Sequence, residues 1–151
     1  MKYHIQFVLL LVIAITVSGC AGNASATISP TSTIESAIVE DQASLVAALQ
    51  AEGAAIEAGD PVEQDFFSPL GNIIKVNGAD VQVFEYESAE AMENEASQVA
   101  PDGGSIGTSM VMWVDPPHFY KAGRIIVLYI GSDETVLSLL EQVLGKQFAG
   151  R

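Results

Sequence analysis

Apolar residues recur at helical spacing in three stretches of the chain. These stretches predict helices at about 42–52, 89–100 and 133–144. A residue type that favours helix N-caps stands before each of them: Asp41, Ser88 and Ser132. Gly53 and Gly145 follow the first and the last stretch, as is typical of helix C-termini.

Extended stretches lie between the predicted helices. Alternating or continuous apolar residues predict strands at about 54–58, 72–76, 81–87, 109–114 and 124–130. The pair Asn77-Gly78 predicts a tight hairpin between the second and the third strand. The last strand is apolar on both faces, which predicts a place in the middle of a sheet covered on both sides, or at a subunit interface.

Two stretches rich in chain-breaking residues predict irregular structure. Gly59-Asp60-Pro61 predicts a turn. Residues 115–123 are predicted to be a rigid loop, because consecutive prolines at Pro116 and Pro117 do not fit a central strand. The resulting order α-β-β-β-α-β-β-α predicts an α+β fold, with one mostly antiparallel sheet of about five strands and three helices packed mainly on one face.

The first twenty residues have the pattern of a secretory signal peptide. Lys2 precedes a short apolar run at 5–17, and Ser18-Gly19 stand directly before Cys20. Small residues before a lone cysteine resemble the bacterial lipobox, in which the cysteine is acylated, for example with palmitate, and becomes the first mature residue. This predicts a signal peptide at 1–19, a lipidated Cys20 and an anchor on the extracytoplasmic side of a membrane, with the leaflet left open.

Residues 20–40 are rich in Ala, Ser and Thr and predict a flexible tether. The remaining residues, 41–151, predict one compact domain. Cys20 is the only cysteine, so the domain has no internal disulfide. The formal net charge of −13 disfavours binding to nucleic acid and to anionic lipid headgroups.

The stretch 103–107 matches the G-x-S-x-G pattern, and Asp115 and His118 follow Ser105 in the order of a hydrolase triad. A nucleophile elbow needs a strand before the serine and a helix after it. Here a predicted helix and turn precede the serine, and a predicted strand follows. The simpler interpretation is a glycine-rich turn between a helix and a strand.

The loop at 115–120 presents His118 and Tyr120 as candidate binding residues. The simpler alternative is that Phe119 and Tyr120 complete the core, with His118 partly exposed and not catalytic. One mature histidine among scattered carboxylates does not indicate a metal site, and no cofactor motif occurs.

Residues 105–131, together with the closing segment 144–150, resemble a group of short bacterial lipoproteins of uncharacterised function. Such lipoproteins share a lipobox, a low-complexity tether and one compact domain. The resemblance implies a location in the cell envelope and a role for Cys20, and it implies no activity.

Three functions remain open at this point. The first is a non-enzymatic accessory lipoprotein that binds an envelope protein or a small ligand, favoured by an exposed apolar patch near the prolines. The second is a small serine hydrolase using Ser105 and His118, favoured by a convergent polar pocket around His118. The third is a purely structural envelope component, favoured if neither feature is present.

Overall fold

The computed structural model describes residues 38–151. The predicted signal peptide, Cys20 and nearly all of the predicted tether lie outside the described residues. Val39 is buried, and the carbonyl of Glu40 accepts a hydrogen bond from the backbone N–H of Arg124. The folded domain therefore includes at least two residues that the sequence assigned to the tether.

The fold is α+β, as predicted. Its helices are α1 (Gln42–Ala51), α2 (Ala89–Ala96) and α3 (Glu134–Leu144). Its strands are β1 (Ile56–Val62), β2 (Gly71–Val76), β3 (Ala79–Glu85), β4 (Ser105–Ile106), β5 (Ser109–Met110), β6 (Pro117–Ala122), β7 (Ile125–Ile130) and β8 (Ala149–Gly150). None of the helices within residues 38–151 has the length and apolarity needed to cross a bilayer.

Six strands form one antiparallel sheet in the order β1-β2-β3-β7-β6-β8, and β4 and β5 pair separately as a short ribbon. Strand β7 is central, and its side chains are buried on both faces. Ile125, Val127 and Tyr129 pack on one face, whereas Ile126 and Leu128 pack on the other. The predicted two-sided burial of this strand is confirmed.

The hairpin between β2 and β3 is also confirmed. Asn77 and Gly78 both have positive φ, at 52° and 89°. A two-residue turn of this type requires positive φ at both central positions, which Asn and Gly tolerate best. The turn fixes the register of the hairpin, so that Val76 lies opposite Ala79.

Capping interactions fix the starts of the helices. The Asp41 carboxylate accepts a hydrogen bond from the Ser44 backbone N–H at 2.9 Å, and the Ser44 hydroxyl accepts one from the Asp41 backbone N–H at 3.0 Å. Ser88 caps α2 as predicted. Helix α3 is capped by Asp133, one residue after the predicted Ser132.

The turn predicted at Gly59-Asp60-Pro61 is wrong, because β1 runs through it. The pairing with β2 shifts register between Ala58 and Pro61, which is a bulge that accommodates the extra residues. Strand β1 lies at the edge of the sheet, where a proline is tolerated.

The loop predicted at 115–123 is wrong as well, because residues 117–122 form β6, between β7 and β8. Pro117 is the first residue of the strand, where its missing N–H is tolerated, and Pro116 lies outside the strand. The strand predicted at 109–114 contains only β5, and helix α2 ends at Ala96 rather than near residue 100. The short β8, which pairs with β6, was not predicted.

Two of the three helices, α1 and α3, share one face of the sheet, as predicted, and the other face is covered as well. We call the side covered by α1 and α3 the helix-covered face; its core is mostly aliphatic. We call the other side the aromatic face. Helix α2, the β4–β5 ribbon and irregular segments cover it, and its core contains most of the aromatic rings.

Candidate functional site

Strand β6 places the two predicted binding residues on the helix-covered face. His118 and Tyr120 point to that face, whereas Phe119, between them, packs in the aromatic core. Tyr120 is 3% exposed and His118 is 7% exposed. Tyr120 and Phe119 thus belong to the core, as the simpler interpretation expected, but the expectation of a partly exposed His118 is wrong.

The two side chains meet in one pocket of about 250 Å³ beside α3. Six residues line it: His118, Tyr120, Leu137, Glu141, Lys146 and Gln147. Leu137 and Glu141 are one helical turn apart on α3. Lys146 and Gln147 follow Gly145, the C-cap of that helix. The pocket therefore joins β6 to α3 and to the segment after it.

A hydrogen bond fixes the orientation of the His118 ring. Its Nδ1 lies 2.7 Å from Oε1 of Gln147, and an amide oxygen can only accept, so Nδ1 carries the hydrogen. In the neutral imidazole, Nε2 is then the acceptor. The ring also stacks on Tyr129, with 6.1 Å between the ring centroids.

Tyr120 keeps its proton in this environment. Burial, and then the negative charge of Glu141, raise the pKa of the Tyr120 phenol above its ordinary value of 10.0. The hydroxyl is therefore a hydrogen-bond donor throughout the physiological pH range.

The structure does not assemble the hydrolase triad. Ser105 lies in β4, on the aromatic face, and it does not line the pocket of His118. Asp115 is exposed and precedes β6. Gly103 and Gly107 have φ of +68° and +57° and lie before and after β4. A glycine-rich turn therefore leads from α2 into a strand, as the simpler interpretation expected, and no helix follows Ser105 directly.

A second candidate surface lies beside the aromatic face. Met110, Met112 and Val114 are 90%, 97% and 98% exposed. They alternate with Val111 and Trp113, which pack against the aromatic core. We call Met110, Met112 and Val114 the apolar stripe; it is a row of large apolar side chains on a charge-free stretch of chain.

Two hydrogen bonds hold the segment that carries the stripe. The Val111 backbone N–H donates to the Gly104 carbonyl at 3.1 Å, and the Trp113 indole Nε1–H donates to the Gly103 carbonyl at 2.7 Å. Because the inward residues are fixed in this way, the outward side chains of the stripe are presented together.

The backbone along the outer part of the stripe is free to pair. Within residues 38–151, the backbone groups of residues 112–114 make no hydrogen bond to another backbone group. A groove of about 480 Å³ runs beside them, lined by residues 111–117 and by Arg151. A segment with unpaired backbone and exposed side chains offers another chain groups to pair with.

Sequence reasoning found part of each site. It named His118 and Tyr120 but missed Glu141 and Lys146, which only the packing of α3 against β6 brings to them. Residues 109–114 were predicted to form a strand, but the sequence did not indicate that Met110, Met112 and Val114 would be exposed. Among residues 38–151, no cluster of three or more His, Cys, Asp or Glu side chains is arranged to hold a metal ion.

No family model matches the chain, and no curated protein and no solved structure is detectably similar to it. Its function therefore has to be inferred from its own residues and geometry.

Proposed function

We propose that the chain is a lipid-anchored, extracytoplasmic accessory lipoprotein without enzymatic activity, which binds a partner protein through the apolar stripe. The observation that carries this proposal is the exposure of Met110, Met112 and Val114, at 90%, 97% and 98%. Large contiguous apolar surfaces on soluble domains mark interaction sites. A patch of this kind near the prolines is the feature that favours a binding lipoprotein over a purely structural one.

The partner that fits this surface is an extended apolar segment of another protein. Strand addition would pair the free backbone of residues 112–114, and the stripe would give the partner's alternate side chains an apolar surface to pack on. The chain carries a net charge of −13, while residues 103–114 carry none. A neutral or basic partner can approach this stretch without charge repulsion.

The anchor is the acylated Cys20, on the strength of the lipobox pattern. One acyl chain gives marginal membrane binding, whereas two or more give stable anchoring. Substituting Cys20→Ala should move the protein from the membrane fraction to the soluble or secreted fraction when cells are fractionated. Equal membrane retention of wild type and variant would contradict lipid anchoring at Cys20.

The binding role is tested by cross-linking the full-length, lipidated protein in its native membrane and identifying the products by mass. We expect a partner with wild type that is absent with the variant Met110→Ser, Met112→Ser and Val114→Ser. Leu70→Ser is the matched control, because Leu70 is another large apolar residue, 60% exposed, outside the stripe.

Three results decide the outcome of this experiment. Loss of one partner with the stripe variant, and its retention with Leu70→Ser, would support the proposal. An unchanged set of partners with the stripe variant would refute binding through the stripe. Cross-links only between two copies of this chain would replace the foreign partner with self-association.

A further inference from the structure

Two buried side chains line the pocket beside α3, and each has one polar atom without a hydrogen-bond partner among residues 38–151. Tyr120 and His118 are both more than nine-tenths buried. Neither the Tyr120 hydroxyl nor His118 Nε2 is hydrogen-bonded to another group within residues 38–151, where Nδ1 of His118 is held by Gln147. Every fully buried side-chain N or O atom of residues 38–151 has a hydrogen-bond partner. The Tyr120 hydroxyl and His118 Nε2 have none, so they are not fully buried, and we infer that they face the pocket that their side chains line.

The rim of the same pocket carries one charge of each sign. Glu141 and Lys146 are exposed and line the pocket. Neither forms an ion pair with a residue of the described part of the chain. The pocket therefore offers a carboxylate and an ammonium group to a ligand, beside one donor and one acceptor carried by buried side chains.

We propose that this pocket binds a small zwitterion of the α-amino acid class. The ammonium group of the ligand donates hydrogen bonds to the Glu141 carboxylate and to His118 Nε2. The carboxylate of the ligand accepts hydrogen bonds from the Tyr120 hydroxyl and the Lys146 ammonium. Each hydrogen bond then has an ionised partner, and such bonds are about twice as strong as neutral ones.

The size of the pocket limits the ligand to small members of this class. Its volume of about 250 Å³ is below the roughly 300–1,000 Å³ of pockets that hold drug-sized ligands. Leu137 supplies one apolar wall for a short side chain. The pocket is on the helix-covered face, so this proposal does not depend on the apolar stripe or on lipid anchoring.

The test is isothermal titration calorimetry of the full-length chain in detergent micelles. The probes are L-alanine, which carries both charges, and propionate and ethylamine, which each carry one. We expect saturable binding of L-alanine, and binding at least about tenfold weaker for each singly charged probe, since each loses one pair of charge-assisted contacts.

Two variants and one control assign the binding to the pocket. Glu141→Gln removes the rim carboxylate from an exposed position, so the fold is retained, and Tyr120→Phe removes only the hydroxyl. Each should weaken L-alanine binding by about tenfold or more. Glu134→Gln, an exposed position on the same helix that does not line the pocket, should leave the affinity unchanged.

Three outcomes would overturn the proposal. These are no saturable binding of L-alanine, equal binding of propionate or ethylamine, and L-alanine binding that is unaffected by Glu141→Gln. Circular dichroism of the Tyr120→Phe variant checks that its loss of binding is not a loss of fold.

Discussion

The two faces of the sheet are covered in different ways. On the helix-covered face, α1 and α3 lie over mostly aliphatic side chains, with Leu45, Leu49 and Leu140 fully buried. On the aromatic face, one short helix and several irregular segments lie over a group of rings: Phe66, Phe67, Phe84, Trp113, Phe119 and Phe148. Each face carries one of the two candidate surfaces.

The difference follows from the backbone that covers each face. Regular helices place rows of aliphatic side chains against the sheet. A few types of aliphatic residue therefore fill the space between the helices and the sheet. Irregular segments leave larger and less regular gaps, which flat aromatic rings fill while meeting edge to face. Trp113 meets both Phe66 and Phe119 in this way, with centroids 5.9 Å and 5.8 Å apart.

The strongest test of this comparison is Phe119→Ala. Phe119 is fully buried and contacts the rings of Phe67, Trp113 and Phe148. We expect the free energy of unfolding to fall by about 3–5 kcal/mol, as for other large aromatic truncations in cores. Urea denaturation measures it, and Leu140→Ala on the helix-covered face, expected to lose about 2–5 kcal/mol, is the matched control.

The fluorescence of Trp113, the only tryptophan of the chain, adds a second readout to this experiment. It should shift to longer wavelength in Phe119→Ala and stay unchanged in Leu140→Ala. A fall in the free energy of unfolding of less than about 1 kcal/mol in Phe119→Ala would mean that the rings are not tightly packed, because truncating a well-packed aromatic side chain is more destabilising than that.

A smaller effect is expected from a glycine beside each face. Gly103 has φ of +68°, and an added Cβ would lie 3.0 Å from both Phe119 and Pro117. Gly53, after α1, has φ of +87° with no atom within 4 Å. We expect Gly53→Ala to lose about 1 kcal/mol from backbone strain, and Gly103→Ala about 2–3 kcal/mol from strain and crowding.

The difference between these two variants, measured by urea denaturation, isolates the close packing of the turn at Gly103 on the aromatic core. Equal losses of unfolding free energy in both variants would show that the turn at Gly103 does not pack closely against Phe119.

The next effect concerns the bond that holds the stripe in place. Trp113→Phe keeps an aromatic ring against Phe119 but removes the Nε1–H that donates to the Gly103 carbonyl. We expect a loss of about 1 kcal/mol, the usual net value of a neutral hydrogen bond. Hydrogen exchange of the backbone N–H of Val111 should speed up, because its acceptor Gly104 neighbours the released carbonyl.

Unchanged exchange at Val111 would mean that the stripe segment is held by other contacts. Phe66→Ala, which removes the other ring that meets Trp113, is then the variant that distinguishes ring packing from the hydrogen bond.

The smallest expected effect is a pH dependence at the start of α1. The backbone N–H of Ser44, and then its hydroxyl, lower the pKa of Asp41 below its ordinary value of 3.8. The ionised form is favoured in the folded state, so this contribution is present above about pH 4 and is lost as the pH falls through the lowered value. Asn also caps helices well, so Asp41→Asn tests the charge alone.

Thermal unfolding of wild type and Asp41→Asn should therefore differ at neutral pH, and the difference should start to fade near pH 4 and vanish as the pH falls through the lowered pKa of Asp41. A difference that persists in acid would assign the effect to the geometry of the cap rather than to its charge.

Much of the local structure could be predicted, because it depends on residues close together in the chain. The Asp41 cap, the Asn77-Gly78 turn and the two-sided apolar pattern of β7 each appear in a few consecutive residues, and the structure confirms them. Where sequence rules failed, a tertiary contact overrode them. Pro61 and Pro117 lie in strands because one strand is at the edge of the sheet and the other begins at its proline.

The candidate sites show the same limit. His118 and Tyr120 were named together on a predicted loop, but only their place in β6 puts both side chains on one face of the sheet. Gln147 is 29 residues from His118, and only the packing of α3 beside β6 brings it into hydrogen-bonding distance. No periodicity in the sequence encodes that distance.

The sequence by itself determined the fold class, the caps of α1 and α2, the Asn77-Gly78 hairpin and the two-sided apolar pattern of β7. Only the tertiary structure decided which faces are covered. Alternation tells which side chains point the same way, but not whether another layer packs on them. Met110, Met112 and Val114 are exposed because the inward residues Val111 and Trp113 already fill the space above the aromatic core, and no further element of residues 38–151 covers the outer side.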